Sequence, residues 1–477
     1  MATSGFQSEG SSPDSNWRRY SDSGRTHDAI GNSVDFRHRY TEDIARAADL
    51  GVDVFRFGVE WARVQPAPGA WDETELRYYD DVVREITSRG MTPMITLDHW
   101  VYPGWVADQG GWTNPDTVDD WLANAQRVIE RYSGLGALWI TINEPTVYVQ
   151  KELTFGGVGP DRVPQMLDRL VEVHRRAYDL IRENDPGARV SSNLAYVPAA
   201  MDALDATFVD RVRDKLDFLG VDYYYGLSPD NVTAANAVTD AFYDISPQPD
   251  GIYHALMRYT RKFPGLPLYV VENGIPTDDG KPRPDGYTRS DHLRDHVYWL
   301  ERARADGAPV IGYNYWSITD NYEWGTYRPR FGLFTVDALT DPSLTRRPTE
   351  AVTTYRDLVA NGLPPGYGPE RPAALCSLVD PPLSCIDPPV ERVPPGARRT
   401  ITWCRGRCGV QCSGASCVIS LSPGGPARSR RWPRGCGSGS DAATGTSRVC
   451  SWGCCCRSRW SPPDSGRCSR TRPSRSR

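Results

Sequence analysis

Two glutamates in this chain each follow a run of β-favouring apolar residues. Glu144 comes after residues 138–142, and Glu272 comes after residues 268–271. Such runs are typical of strands buried on both faces, and Pro145 and Gly274 then end them. The functional side chains of a parallel α/β barrel collect at the carboxyl ends of its strands. Two carboxyl groups on that rim could cleave a glycosidic bond, one as proton donor and the other as nucleophile or base. The alternative is that each Glu is a solvated residue at the end of a strand, as a lone Glu usually is.

The elements that must position these glutamates alternate between strand and helix. The sequence predicts strands over 52–58, 91–97, 137–142, 189–195, 218–224, 268–271 and 310–316. It predicts helices over 41–50, 73–89, 118–132, 163–183, 208–216, 252–262, 292–305 and 349–361. With residues 2–7 as the remnant of a first strand, eight βα units predict a closed (β/α)8 barrel. An open doubly wound sheet would need a glycine-rich loop after an early strand, and none is present there.

Motifs at nearly every predicted strand end together resemble those of glycoside hydrolase family 1. The family is built on a (β/α)8 barrel and includes β-glucosidases and β-galactosidases. The resemblance covers residues 2–361 in order. Its motifs are Ala2–Gln7; Phe55–Phe57 with Trp61, Arg63 and Pro66; Thr96–Trp100; Asn143–Pro145; Gly220–Tyr224; Glu272–Gly274; Trp316-Ser317; Asp320-Asn321; Glu323-Trp324; and Arg330–Leu333.

The resemblance implies catalytic roles that also follow from the chemistry. Glu144 is expected to be the general acid, which must start protonated and so needs a raised pKa. Glu272 is expected to be the ionised nucleophile, with Arg56 and Tyr224 as its donors. A retaining enzyme of this type holds the two carboxyl groups about 5–5.5 Å apart. Arg56 could instead form a structural salt bridge, and Tyr224 could pack in the core.

The resemblance also implies a sugar-binding set: Gln7, His99, Trp100, Asn143, Trp316, Glu323 and Trp324. His99 could alternatively be a core histidine, and Trp316 could simply fill the barrel mouth. Relatives acting on 6-phosphoglycosides tend to carry serine at the place of Glu323, so an unphosphorylated substrate is expected. Three residues depart from the family pattern, namely Glu60, Asp98 and Asp222. Of these, Asp222 stands where the family has Asn. A carboxylate at Asp222 would raise the pKa of neighbouring acids.

These observations predict a retaining β-glycosidase that acts on a small β-glycoside or oligosaccharide without a cofactor or metal. A transglycosylase transferring to an alcohol or phenol, and an inactive sugar-binding homologue, remain alternatives. No nucleic acid is expected as a partner. No membrane is expected either, because no stretch of 18 apolar residues occurs. The oligomeric state is left open. A cytoplasmic location is predicted, with secretion as the alternative if a signal peptide preceded the first strand.

The end of the chain differs in composition from the rest. All 12 Cys lie beyond residue 375, and residues 391–477 hold 17 Arg, no Lys and three acidic residues. We predict a catalytic domain over 1–365, a Pro-rich extension over 366–390 in which Cys376 and Cys385 could form a disulfide, and a disordered tail over 391–477. Three interpretations of the tail compete: a disulfide-rich or metal-binding module, a nucleic-acid-binding segment, and, the favoured one, translation of GC-rich DNA in a shifted frame.

Overall fold

The computed structural model describes residues 1–197, 200–226, 233, 236, 241–371, 373, 410–413 and 416–419. The chain divides into two compact units, Met1–Ala397 and Arg398–Arg477. The described residues of the second unit form an antiparallel pair of strands, Val410–Ser413 and Ser416–Ile419. The predicted Cys376–Cys385 disulfide lies outside the described residues. So does most of the predicted extension and tail, and these domain limits stay predictions.

The first unit is built on a seven-stranded parallel sheet whose strands follow the order of the chain. The strands are β1 (Val54–Gly58), β2 (Thr92–Asp98), β3 (Leu138–Asn143), β4 (Arg189–Ala195), β5 (Leu219–Asp222), β6 (Leu268–Glu272) and β7 (Val310–Tyr313). Two-residue antiparallel pairs join Thr277–Asp278 to Pro329–Arg330 and Phe334–Thr335 to Arg347–Pro348.

The first residues of the chain occupy the eighth position of the ring, between β7 and β1. The backbone N–H of Ala2 donates to the carbonyl oxygen of Tyr315 at 3.2 Å, and Arg56 N–H donates to Met1 O at 2.8 Å. The prediction of a (β/α)8 barrel is therefore confirmed. The extended segment is shorter than predicted, because a helical turn over Gly5–Ser8 follows it directly.

Helices connect the strands and cover the outside of the barrel. They are α1 (Gly5–Ser8), α2 (Asn16–Asp22), α3 (Phe36–Asp49), α4 (Trp61–Val64), α5 (Glu73–Ser88), α6 (Gly104–Asp108), α7 (Thr117–Tyr132), α8 (Pro145–Phe155), α9 (Val163–Asn184), α10 (Met201–Thr207), α11 (Val209–Val212), α12 (Gly251–Lys262), α13 (Arg289–Ala305) and α14 (Ala351–Asn361). No helix in the described part of the chain is long and apolar enough to cross a bilayer.

Local chemistry explains where the helices begin. The carboxylate of Asp72 accepts from the N–H groups of Thr74 and Glu75 at 2.8 and 3.2 Å, which caps α5. Thr288 and Asp291 form a reciprocal capping box at the start of α13. The helix predicted over 208–216 was wrong in extent. Phe208 leaves the helical region of φ and ψ, and this residue separates α10 from α11.

The barrel interior is apolar beneath a polar rim. Met94 lies on the same face of β2 as Thr96, because alternate residues of a strand share a face. Met94 packs in a cluster with Ile140, Phe218, Tyr269 and Val271. Thr96, one step further along, accepts a hydrogen bond from Nε of Arg56 at 3.0 Å. The change from apolar to polar interior side chains therefore places the chemistry at the carboxyl ends of the strands.

Candidate active site

The carboxyl groups of Glu144 and Glu272 lie close together at the carboxyl end of the barrel. One oxygen from each of Glu144, Asp222 and Glu272 lies within 4.8 Å of the others. Glu144 directly follows β3, and Glu272 is the last residue of β6. Both side chains are buried, with Glu144 7% exposed and Glu272 4% exposed. The sequence-based placement of these two residues on one rim agrees with this geometry.

Irregular strand pairing brings these side chains to the interior. The register between β3 and β4 shifts between Ile140 and Asn143, and the register between β5 and β6 shifts between Val221 and Asp222. An irregularity of this kind turns a side chain that regular alternation would send to the other face. Sequence alternation alone gives no signal for these shifts.

Glu272 is held by two donors. Nη1 of Arg56 donates to Oε1 of Glu272, and the Tyr224 hydroxyl donates to Oε2 at 2.6 Å. Nη2 of Arg56 also donates to Oδ1 of Asn143 at 2.5 Å. Arg56 is fully buried. The guanidinium, which stays cationic, therefore contacts the side chains of both Glu272 and Asn143.

Glu144 lies in an environment that favours its protonated form. Its backbone has φ 37° and ψ 65°, in the left-handed region, and α8 begins with Pro145. Burial, and then the negative charge of Glu272, raises the pKa of Glu144 to about 8, against the opposing effects of Arg56, Asp222 and Lys151. For Glu144, the expectation that Asp222 raises the pKa of neighbouring acids was therefore wrong. One carboxyl group thus keeps its proton near neutral pH while its neighbour has a cation, which is the division of roles that acid and nucleophile require.

Asp222 forms a third member of the cluster, together with an amide that the sequence did not indicate. Nδ2 of Asn193 donates both to Oδ2 of Asp222 and, at 2.6 Å, to Oδ1 of Asn143. Burial, followed by the charges of Glu272 and Glu144, raises the pKa of Asp222 well above its ordinary value. Ser191, Ser192 and Asn193 are polar residues in the buried part of a strand whose other buried residues, Val190 and Leu194, are apolar. This contrast is the signal in the sequence that could have indicated Asn193.

The predicted sugar-binding residues Gln7, Trp316 and Glu323 are joined by hydrogen bonds. Nε2 of Gln7 donates to Oε2 of Glu323 at 3.3 Å, and Nε1 of Trp316 donates to Oε1 at 3.1 Å. Burial raises the pKa of Glu323 to about 7. Ser4 donates to Oε1 of Gln7 at 2.6 Å, which fixes the orientation of the amide.

Aromatic rings connect this group to the carboxyl cluster. The His99 ring lies 6.0 Å from that of Trp316 and 5.6 Å from that of Trp324, measured between centroids. Burial lowers the pKa of His99 well below its ordinary value, so the imidazole is neutral. Its Nδ1 has no hydrogen-bond partner among the described residues.

Trp100, by contrast, has its polar atom engaged by the protein. Its Nε1 donates to the carbonyl oxygen of Asn143 at 2.7 Å, and its ring packs 4.5 Å from that of Trp324. Trp100 therefore contacts Asn143 and Trp324 and helps to hold both in position.

The other two departures from the family pattern lie outside the carboxyl cluster. Asp98 accepts from the N–H of Trp100 and from Nε1 of Trp121, both at 2.8 Å. Glu60 is buried near Glu9 and Asp98, and burial raises the pKa of its carboxyl group. Asp98 and Glu60 therefore belong to the structure around the rim and not to the carboxyl cluster.

The chain is similar in sequence and fold to several known proteins. The family model for glycosyl hydrolase family 1 matches residues 1–212 and 198–363. The chain is 29% identical, over 64% of its length, to the galactolipid galactosyltransferase SFR2 of Arabidopsis thaliana, and it spans 55% of that relative. It is 26% identical to β-glucosidase A of Thermotoga maritima, with 66% and 84% of the two chains covered. A β-glycosidase structure from Pyrococcus horikoshii is 26% identical, with 76% and 96% covered and a TM-score of 0.64.

Proposed function

Because this chain belongs to glycosyl hydrolase family 1, we propose that it is a retaining β-glycosidase. It hydrolyses terminal, non-reducing, unphosphorylated β-D-glucosyl or β-D-galactosyl residues. The observation that carries the proposal is the approach of the Glu144 and Glu272 carboxyl oxygens to within 4.8 Å. A retaining mechanism needs carboxyl groups about 5 Å apart, whereas an inverting one needs a wider gap, of about 6.5–9.5 Å, for a water molecule.

The first half of the reaction forms a bond between the enzyme and the sugar. An oxygen of Glu272 attacks the anomeric carbon, and the bond from that carbon to the leaving oxygen breaks. Glu144 gives its proton to the leaving oxygen, which departs as an alcohol. Arg56 and Tyr224 hold the attacking carboxylate in place, and the buried amide of Asn143 lies beside the acid at 3.4 Å.

The second half releases the sugar. Glu272 is now an uncharged ester, so the charge that raised the pKa of Glu144 is gone, and Glu144 is a carboxylate that can act as a base. Glu144 takes a proton from water, the water oxygen attacks the anomeric carbon, and the ester bond to Glu272 breaks. Both glutamates return to their starting states, and the anomeric configuration is retained after two inversions.

The surroundings of Glu323 support an unphosphorylated sugar. A carboxyl group at this place would repel a phosphate once ionised. The arginines that follow it in the chain are already paired, since Arg328 contacts Asp278 and Arg330 contacts Asp279, each at 2.6 Å. Phe331 packs against the Tyr224 ring at 5.7 Å and adds an apolar wall.

The proposal is tested with 4-nitrophenyl β-glucoside and β-galactoside on the full chain. Release of nitrophenol is expected, and NMR should show the β-anomer of the free sugar first. The variant Glu272→Ala should lose activity by about 10⁴-fold or more, while Glu301→Ala, at an exposed glutamate, should not. A 2-deoxy-2-fluoro glycoside should label Glu272. No release from either substrate, or the α-anomer appearing first, would overturn the proposal.

Added azide distinguishes the two glutamates. In Glu272→Ala, azide can occupy the space of the missing carboxylate and should give an α-glycosyl azide. In Glu144→Ala, the glycosyl ester still forms from a good leaving group, and azide should attack it to give the β-product. The same anomer from both variants would contradict the assigned roles.

Transglycosylation is a second candidate, favoured by the similarity to the Arabidopsis galactosyltransferase. The first half-reaction is the same, and an acceptor alcohol then replaces water. Product analysis with added alcohols, phenols or galactolipids distinguishes the two. Transfer that exceeds hydrolysis at millimolar acceptor would favour the transferase, and release of free sugar alone would favour the hydrolase.

A further inference from the structure

We propose that Asp222 is a positioning residue that shares a proton with Glu144, so that the acid of this site is a pair of carboxyl groups. The inference rests on the proposed function and deepens it, because it names a second carboxyl group that acts on the acid of the same site. Asp222 is 1% exposed and lies within 4.8 Å of both catalytic carboxyl groups.

The hydrogen bonds of Asp222 leave one of its two buried oxygens without a donor. Oδ2 accepts from Asn193, but Oδ1 has no hydrogen-bond partner among the described residues. One oxygen of Glu144 and one oxygen of Asp222 lie within 4.8 Å of each other, and both side chains are buried. Two ionised carboxyl groups at this separation repel each other strongly in a buried site. The geometry therefore favours a pair that holds at least one proton.

The charges around the pair lead to the same conclusion. Three carboxyl groups face one guanidinium, that of Arg56, which is in contact with Glu272. From the other elements, Asn193 and the Tyr224 hydroxyl are uncharged, and His99 is neutral. Lys151 on α8 acts on Glu144 as a weaker influence than Arg56. Because buried carboxylates need neutralisation, and because the guanidinium beside Glu272 would repel a divalent metal ion, protons are the better counter-charge.

A shared proton changes how the acid titrates. Two strongly coupled groups lose their protons in two separate steps that belong to the pair. After the first step one proton remains, divided between Glu144 and Asp222, so part of the enzyme still has a protonated Glu144. In turnover, Glu144 gives its proton to the leaving oxygen and becomes the carboxylate that acts as the base, while a proton held by Asp222 stays there. The water that enters later returns one proton to Glu144, so the pair ends as it began.

The kinetic test compares the unmodified chain with Asp222→Asn, which keeps the shape and removes the second proton site. With phenyl β-glucoside, whose leaving group needs a proton, kcat/KM of the unmodified chain should fall in two steps above neutral pH. In Asp222→Asn it should fall in a single step. A merely structural role for Asp222 would lower kcat/KM equally at every pH, and superimposable profile shapes would overturn the inference.

Two controls isolate the proton. Glu60→Gln removes another buried acid of the rim that lies outside the cluster, and its profile should keep two steps. With 2,4-dinitrophenyl β-glucoside, which needs no protonation, the difference in alkaline profile between the unmodified chain and Asp222→Asn should vanish. A difference that persists with this substrate would show that Asp222 does not act through the acid.

An infrared titration tests the proton without any activity. In D2O, the carbonyl absorption of protonated carboxyl groups should show one titration step fewer in Asp222→Asn than in the unmodified chain. In Glu144→Gln, Asp222 should lose its proton at lower pH, because its charged neighbour is gone. An unchanged Asp222 titration in Glu144→Gln would overturn the inference. Inactivity of every variant and of the unmodified chain, with these infrared results intact, would instead count against the proposed function alone.

Discussion

Replacing Glu152 with Gln should change how the stability of the protein depends on pH. Glu152 lies near the end of α8, is 1% exposed, and has no part in the proposed reaction. Its carboxyl group accepts from Asn16 Nδ2 at 2.9 Å and from the hydroxyls of Tyr20 and Tyr102 at 3.1 and 2.7 Å. Burial outweighs these three donors and raises its pKa from 4.5 to about 7.

The size and sign of the effect follow from that shift. A group whose pKa is higher in the folded protein than in the unfolded chain stabilises the fold. Its contribution is complete at pH values below the pKa in the unfolded chain. This contribution is lost as the pH rises through the folded value. For Glu152 the loss occurs between about pH 4.5 and pH 7 and amounts to about 3 kcal/mol, at about 1.4 kcal/mol per pKa unit. Gln cannot titrate, so the variant lacks this part of the pH dependence.

The assay is urea unfolding of the full chain and of Glu152→Gln at pH 4.5 and pH 8. The difference in the free energy of unfolding between the two proteins should change by about 3 kcal/mol between these pH values, in favour of the unmodified chain at the lower pH. Glu130→Gln, at an exposed glutamate of α7, is the matched control and should show no such change. A difference that is equal at both pH values would refute the assigned protonation of Glu152.

Three further predictions concern the active site and the stability of the barrel. Tyr224→Phe removes a donor to Glu272, and kcat should fall by about 10- to 100-fold in steady-state assays with little change in KM. The kcat/KM of the unmodified chain should begin to fall near pH 8, as Glu144 loses its proton. Arg346→Met removes one of two arginines that contact the fully buried Asp43 carboxylate and leaves Arg46 at 3.0 Å, so it should lower the free energy of unfolding, measured in urea, by about 2–3 kcal/mol. A loss below 1 kcal/mol would contradict that expectation.

Much of the barrel could be predicted because its strands are continuous apolar runs bounded by turn residues. Residues 189–195 were predicted as a strand, and β4 has the same limits. The strand predicted over 310–316 ends earlier, at Tyr313. Beyond that point the backbone still bonds to the neighbouring segment, since the N–H of Asn314 donates to Val270 O at 2.8 Å and the N–H of Trp316 donates to Asn273 O at 2.9 Å. The apolar run therefore predicted the pairing, but it does not show where regular strand geometry ends.

The positions of single residues at strand ends could be predicted from the sequence. Contacts between side chains of two neighbouring strands could not. Glu144 and Glu272 each stand at the end of a recognisable run, so their shared rim followed from the fold. The contact of Asn193 with Asp222 depends on the pairing of β4 with β5, in which Ala195 lies opposite Asp222. That register is set by the whole barrel and has no local signal. Asp222 could therefore be noticed as unusual, but its partner could not be named.

The ring cluster beside the sugar-binding residues gives the molecule an optical reporter. Trp324 packs between Trp17 and Trp100, at 4.6 and 4.5 Å, and Trp316 donates to Glu323. An indole in such a place is sensitive to the polarity and hydration of its surroundings. A saccharide that displaces water from the pocket should therefore shift the intrinsic fluorescence emission. Unlabelled sugars could be ranked by affinity in this way, even in variants that turn nothing over.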